Sequence, residues 1–390
     1  MNQTEALQPR LDRLQRGSLI AGIVGLVLCV IGAFLSRQQF FQSYLFAYLF
    51  WTGLALGSLA VLMLHTLVGG SWGVPIRHLL ESGSRLLPLM ALLFVPLLFG
   101  LQDLYSWARP EVAAQERLVQ AKLPYLSVPF FLARTVLYFA IWIGLALLLN
   151  RWLHAQERTE APLPERRLQG LSAIGLVLYV LTMTFAAIDW VMSLEPLWFS
   201  TIFGLLFVVG QGLVTFAFAI VALVLLVRGT SLEPWVGTTP LHDLGNLLLA
   251  FVTFWLYLSF SQFLIIWSGN LPEESFWYMY RIQGGWEAII IAVIVLQFAL
   301  PFFLLLFRFV KRRGPFLAGV AATILGMRLI DLFWLVAPTF HREGLYVHWL
   351  DLAAPIGIGG IWMAVFTWYL KGRPLLPLHD PRLPEVARHG

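Results

Sequence analysis

Four ionisable side chains stand inside long apolar runs of this sequence, Arg134, Asp189, Arg328 and Asp331, and they are where chemistry could occur. An ionised group in hydrocarbon costs at least a few kcal/mol, so each needs an opposite charge, a water-lined cavity or a change of protonation. The stretch Ala187-Ile-Asp-Trp-Val-Met-Ser-Leu-Glu-Pro-Leu-Trp-Phe-Ser-Thr201 carries Asp189 near the end of one apolar run, and another begins almost at once. A helical rise of 1.5 Å per residue puts Arg134 about 12 Å deep from Leu126, and Asp189 about 8 Å in from the same face. An Arg134–Asp189 pair is therefore sterically reasonable. It would serve either as a structural ion pair or as a proton acceptor and polar wall for a ligand near that face. Arg328 and Asp331 are spaced i,i+3 and share a helical face, where self-neutralisation and a functional pair are again the two readings.

A second group, His65, Glu81 and Arg85, falls near the ends of two other apolar runs, on the opposite face. A proton uptake route needs groups of this kind, although charged helix ends are also ordinary at a membrane surface. Glu287, His348 and Asp351 begin apolar runs from the outer side, where hydration is the expected state. Other chemistries lack the residues. His65 and His348 lie near opposite faces, so they do not make a bis-histidine haem site, and no P-loop, GxGxxG or HExxH pattern occurs. Neither is there a Ser-His-Asp constellation. The single cysteine, Cys29, excludes an intrachain disulfide and a thiolate set for an iron–sulfur cluster.

The elements that must position these residues follow from composition. The chain has 390 residues, 59% hydrophobic and 12% charged, with a mean hydropathy of +0.78. Soluble domains are about a quarter charged, so this is an all-α integral membrane protein. Apolar runs predict ten transmembrane helices, roughly 18–36, 41–69, 78–101, 126–150, 168–194, 198–227, 243–268, 285–309, 316–337 and 347–370. Residues 18–370 form one membrane domain between a cytoplasmic N-terminus, 1–17, and a cytoplasmic tail, 371–390, rich in Pro and charge. Arg10, Arg13 and Arg16 before an apolar run have the order of a signal peptide. That run is long and no Ala-x-Ala site closes it, so it reads as a retained first helix.

With the N-terminus inside, 18 Lys and Arg fall on cytoplasmic segments and 6 on the opposite loops, which predicts both termini inside. The net charge of +5 is this topological bias and not a nucleic-acid footprint. Tyr105, Trp107, Tyr125, Trp277, Tyr278 and Tyr280 in the outer loops read as an interfacial aromatic belt or a protein docking surface.

The sequence also repeats. Ile188-Asp189…Pro196 matches Ile330-Asp331…Pro338 at a constant offset of 142 residues. Val136-Leu-Tyr-Phe-Ala140 matches Val295-Leu-Gln-Phe-Ala299, and Pro75-Ile-Arg-His78 matches Pro240-Leu-His-Asp243, in the same order. A parallel duplication follows, with 41–194 and 198–337 as two four-helix bundles and 18–36 and 347–370 as peripheral helices.

Several stretches carry a resemblance: Tyr125-Leu-Ser-Val-Pro-Phe-Phe-Leu-Ala-Arg134, Asp189-Trp-Val-Met-Ser-Leu-Glu-Pro, His242-Asp-Leu-Gly245, Phe254-Trp255, Phe260-Ser-Gln-Phe263 with Ile266-Trp267, Leu271-Pro-Glu-Glu274 and Ile330-Asp331. Across helices four to nine the chain resembles the NrfD or polysulfide-reductase-type membrane subunits. Within that family it most nearly resembles an NrfD-like membrane subunit of alternative complex III, the bacterial quinol:cytochrome c oxidoreductase. The resemblance implies two four-helix bundles with one extra helix at each end, in a bacterial inner membrane. It implies a membrane subunit of a respiratory or photosynthetic quinol-oxidising complex, with no redox centre of its own. Quinol or quinone would be the small-molecule ligand, and proton translocation a contribution. A paralogous NrfD-like subunit, the better candidate for the quinol site, would be a partner. So would an iron–sulfur subunit, c-type cytochrome subunits carrying haem c, small membrane subunits and lipids. Arg134, Asp189, Arg328 and Asp331 fall within matched blocks, although relatives can carry histidine at a position like Arg328. The region before helix two is shorter than in relatives that carry a charged insert there. Two other functions stay open: a purely structural scaffold, and a secondary transporter, for which Gly204, Gly210, Gly212 and Pro301 are the modest helix-breaking candidates.

Overall fold

In hydrocarbon an apolar segment satisfies its backbone N–H and C=O groups by forming a helix. The computed structural model, which describes residues 3–115, 117–158, 165–230, 232–372 and 375, follows this rule. Its main helices are α1 (Gln3–Leu35), α2 (Arg37–Val68), α3 (Arg77–Ser84), α4 (Leu87–Leu98), α5 (Val128–Arg158), α6 (Glu165–Trp190), α7 (Phe203–Val227), α8 (Thr238–Gly269), α9 (Trp286–Leu306), α10 (Gly314–Val336) and α11 (Leu350–Lys371). Among the described residues nine helices are long and apolar enough to cross a membrane. Ten spans result when the broken segment Ser71–Ser84 plus Leu87–Leu98 is counted as one. This is a multi-pass membrane protein.

Two boundaries differ from expectation for identifiable reasons. The third span is not a straight helix over 78–101: the chain bends by 41° between α3 and α4. Pro88 sits in the first turn of α4, where its ring disfavours continuous helix through the preceding residues. The first helix starts at Gln3 instead of 18, because its polar half is held down. Lys371 at the end of α11 is bonded to Asp12 and Gln15, and Arg10 donates to the Arg228 carbonyl at 2.6 Å. The tail expected over 371–390 lies outside the described residues beyond Gly372, apart from Leu375.

Helices α2 and α7 form the buried centre and pack against each other. Gly57 allows this approach, since a Cβ there would overlap the Gln211 backbone and the Thr215 hydroxyl, the close contact that small residues permit between membrane helices. Helix α2 also packs on α3, α4 and α6, with α5 against α4 and α6. Helix α7 packs on α6, α8 and α10, with α9 against α8 and α10. Helix α1 lies outermost along α11, where Gly25 meets Gly357 backbone to backbone. Helix α11 packs between α1 and α2 and is largely buried.

On the face where α2 and α11 begin, hydration does not describe Asp351. It is buried and accepts hydrogen bonds from the Ser43 hydroxyl at 2.6 Å, the His348 N–H at 2.8 Å and the Gln39 amide at 3.3 Å. Glu287 is exposed, and its carboxylate accepts the Gly285 N–H at 2.8 Å. Nearby, His341 Nε2 stands 3.2 Å from Gln39 Oε1 and 3.1 Å from Gln42 Oε1, fastening the α10–α11 connection to α2. Burial holds the His341 imidazole below its usual value of 6.5, with His348 acting in the same direction and Asp351 opposing. Its folded-state pKa is thus below the unfolded one, and the unfolded state binds more protons in that window. Stability from this contact is present above pH 6.5 and is lost as pH falls through the lowered value. Melting curves across this range should show the loss, and His341→Gln should flatten it; an unaltered pH profile in the variant would contradict the assignment.

Candidate functional site

The pair expected between α5 and α6 is present. Asp189 is fully buried, and Arg134 grips it with two hydrogen bonds of 2.8 Å, Nε to Oδ2 and Nη2 to Oδ1. The Tyr138 hydroxyl donates to Oδ2 at 2.7 Å. Arg134 Nη1 donates to the Tyr125 carbonyl at 2.9 Å, and its guanidinium carbon lies 3.8 Å from the Tyr125 ring centroid and 4.4 Å from that of Phe130. Trp190, the next residue, is wedged among Phe94, Phe139 and Trp142 at centroid distances of 4.9, 5.9 and 5.8 Å. The carboxylate is charge-neutralised, hydrogen-bonded on both oxygens and walled by aromatic rings. That is how a buried ion pair offsets its desolvation.

The second carboxylate has a different environment. Asp331 is ion-paired with Arg328 on the same helix, and Gln297 Nε2 reaches its Oδ2 at 3.5 Å. Both members of the pair line a cavity of about 450 Å³ between α7, α8, α9 and α10 and the segment 272–282. Its walls are aromatic, with Phe207, Trp255, Phe263 and Trp277 prominent, and Gln262 and Tyr278 add polar atoms. Phe260, Trp267, Ile282 and Ile294 line it and are also strongly exposed, so it opens on the lipid-facing surface. A Cβ at Gly210 would overlap the Arg328 guanidinium, and glycine there lets the charge lie flat against α7. In α9 the helix widens to a π-helical turn over Ile294–Ala299, a form that frequently marks functional sites. This turn carries Gln297, whose Oε1 is buried without a partner among the described residues.

The contacts follow the sequence repeat. Asp189 and Asp331 are matched positions, and so are their polar neighbours, Tyr138 and Gln297. The cations are not matched. The position of Arg134 corresponds to Val293, and that of Arg328 corresponds to Ala186. One unit thus supplies its cation from the neighbouring helix and the other from the carboxylate's own helix. The second pair stands on a cavity wall.

His65, Glu81 and Arg85 are placed at the other face, each with interior partners. Arg77 Nε donates to Glu81 Oε1 at 3.0 Å, Arg85 Nε donates to Asn150 Oδ1 at 3.0 Å, and His65 Nε2 stands 3.2 Å from the Gly70 carbonyl. The sequence reading missed Arg77 and Asn150 as their partners. It also missed Tyr138 and Gln297, although the repeat match contained both. Arg281, which follows Tyr280 in the connection between α8 and α9, is almost wholly buried. Its guanidinium carbon lies 3.7 Å from the Trp277 ring centroid, and it donates to the Leu335 carbonyl at 2.9 Å and to Thr339 Oγ1 at 3.0 Å. Beside it, Glu195 accepts both 2.9 Å contacts from Arg342 Nη2 and the Tyr280 hydroxyl at 2.7 Å, joining three connections on the face where α2 and α11 begin.

No family model matches this chain, and no curated protein does. The residues and their geometry therefore carry the functional argument. Among the described residues no group of three or more His, Cys, Asp and Glu is arranged to hold a metal ion.

Removing one member of the enclosed pair should be costly. Arg134→Met leaves Asp189 buried without compensation and should cost about 3–5 kcal/mol in unfolding experiments. Arg134→Met combined with Asp189→Leu should recover most of that loss. Equal destabilisation by the single and double variants would show that the cost is not one of an unpaired charge.

Proposed function

We propose that the chain is an NrfD-like membrane subunit of a quinol:electron-acceptor oxidoreductase of the alternative complex III type. In this reading the cavity beside Arg328 and Asp331 receives the quinone head group. The observation that carries it is the combination of an aromatic cavity of about 450 Å³, an opening toward lipid and a carboxylate–guanidinium pair on its wall. A quinol is a flat ring on a lipid-soluble tail with a hydroxyl at each end. Aromatic faces suit the ring, a guanidinium suits a carbonyl oxygen, and a carboxylate suits a hydroxyl proton. The volume is within the usual range for small-molecule sites. Oxidation of one quinol releases two electrons and two protons. Asp331 would take the proton of the hydroxyl nearest it, the proton of the other hydroxyl would pass to water, and the two electrons would pass to a redox centre in a partner subunit, iron–sulfur or haem c.

The helix contacts are compatible with grouping α2 to α6 and α7 to α10 as two four-helix bundles related by a parallel repeat. The excess of Lys and Arg in alternate loops is what puts both termini on the cytoplasmic side in this reading. For the first bundle a structural role is favoured, because both Asp189 oxygens are already occupied. Proton movement belongs to the second bundle in this account, with the hydrogen-bonded Gln297 next to Asp331.

Asp331→Asn keeps the shape and removes the base. In the assembled complex it should lower quinol turnover roughly 100-fold, the scale of a lost general base. Asp189→Asn should act mainly on the amount of assembled protein. Unchanged turnover in Asp331→Asn, with normal assembly, would overturn the proposal.

A further inference from the structure

A second cavity, of about 430 Å³, lies at the opposite end of the α7–α8–α10 group, where α7 ends and α8 and α10 begin. One wall is apolar, formed by Val224, Val227, Val236 and Leu241. Arg228 and Arg312, both exposed, line it, and Arg10 donates to the Arg228 carbonyl at 2.6 Å. Among the described residues neither Arg228 nor Arg312 is held in an ion pair. One carboxylate, Glu233, is present, and its Oε2 accepts the Gly229 N–H at 2.8 Å.

Two helix starts converge on the same space. Gly237 and Thr238 at the head of α8, and Gly314 and Pro315 at the head of α10, line the cavity. Neither helix has a side-chain cap or an acidic residue in its first turn. The positive ends of both helix dipoles therefore add to the field of the arginines. The connection just before α10, Arg308 to Arg313, contributes further basic residues on this side.

From this geometry we infer that the cavity is a binding site for an anionic phospholipid, with its phosphate at Arg228, Arg312 and the two helix starts and an acyl chain along the valine wall. Charge complementarity selects an anionic head group, the apolar wall selects a lipid over a free anion, and the site lies where membrane spans end. Basic pockets between transmembrane helices at such a boundary suit anionic head groups. This site is independent of the quinone reading, since none of its lining residues belongs to the aromatic cavity.

The test uses the full chain purified in phosphatidylcholine nanodiscs, titrated with phosphatidylglycerol and followed by native mass spectrometry and thermal unfolding. Phosphatidylglycerol should be retained and should raise the melting temperature. Arg228→Gln and Arg312→Gln should each weaken retention about fivefold, whereas Arg312→Lys should keep most of it. Both glutamine variants should melt normally in phosphatidylcholine alone, because these side chains are exposed. Equal retention of phosphatidylcholine would overturn the inference. So would stabilisation by inorganic phosphate that matches the lipid, or undiminished phosphatidylglycerol retention in the double glutamine variant.

Discussion

A carboxylate in hydrocarbon must be neutralised, and two such groups, Asp189 and Asp331, organise this protein. Their partners come from different places. Asp189 takes a bidentate arginine across the α5–α6 contact, so its neutralisation is also a bond between helices. Asp331 takes an arginine three residues earlier on its own helix, so its ion pair joins no two helices, and the contact across the bundle is the longer one from Gln297 at 3.5 Å. An ion pair within one helix leaves the neighbouring helices free to stand apart. The space beside α10 is the aromatic cavity.

In the proposed reading this difference lets one of two matched segments form a strut and the other a site. The matched positions Tyr138 and Gln297 both contact the carboxylate, so the local frame is retained. Moving the cation removes the bulk of an arginine at Val293 and places it at Arg328, where Gly210 makes room for it. The π-helical turn in α9 then presents a polar glutamine at the depth of Asp331. The network around Glu195 and the buried Arg281 closes the end where α2 and α11 begin and brings Trp277 to the cavity wall.

Much of this was legible in the sequence because hydrocarbon leaves few options. Apart from the start of α1 and the break between α3 and α4, apolar runs marked the helices to within several residues, and depth counting paired Arg134 with Asp189. Spacing paired Arg328 with Asp331. What escaped notice did so for physical reasons. Pro88 was inside an apolar run, so hydropathy alone hid the break between α3 and α4. Neutral polar residues such as Gln297 resemble ordinary membrane-helix residues until their partner is known. Asp351 and Arg281 sit at run ends, where hydration is the usual fate, and only the folding of three connections over them makes them interior. A cavity is a difference between packed volumes, and residue types on separate helices do not disclose it.

The central claim is that the Arg328–Asp331 cavity holds a quinone ring. The most direct measurement is photoaffinity labelling of the assembled complex with an azido-quinone, followed by peptide mapping. Labelling should concentrate on cavity-lining residues such as Phe207, Trp255 and Phe263 and should be competed away by native quinol. Labelling confined to other surfaces, or unaffected by quinol, would contradict the account.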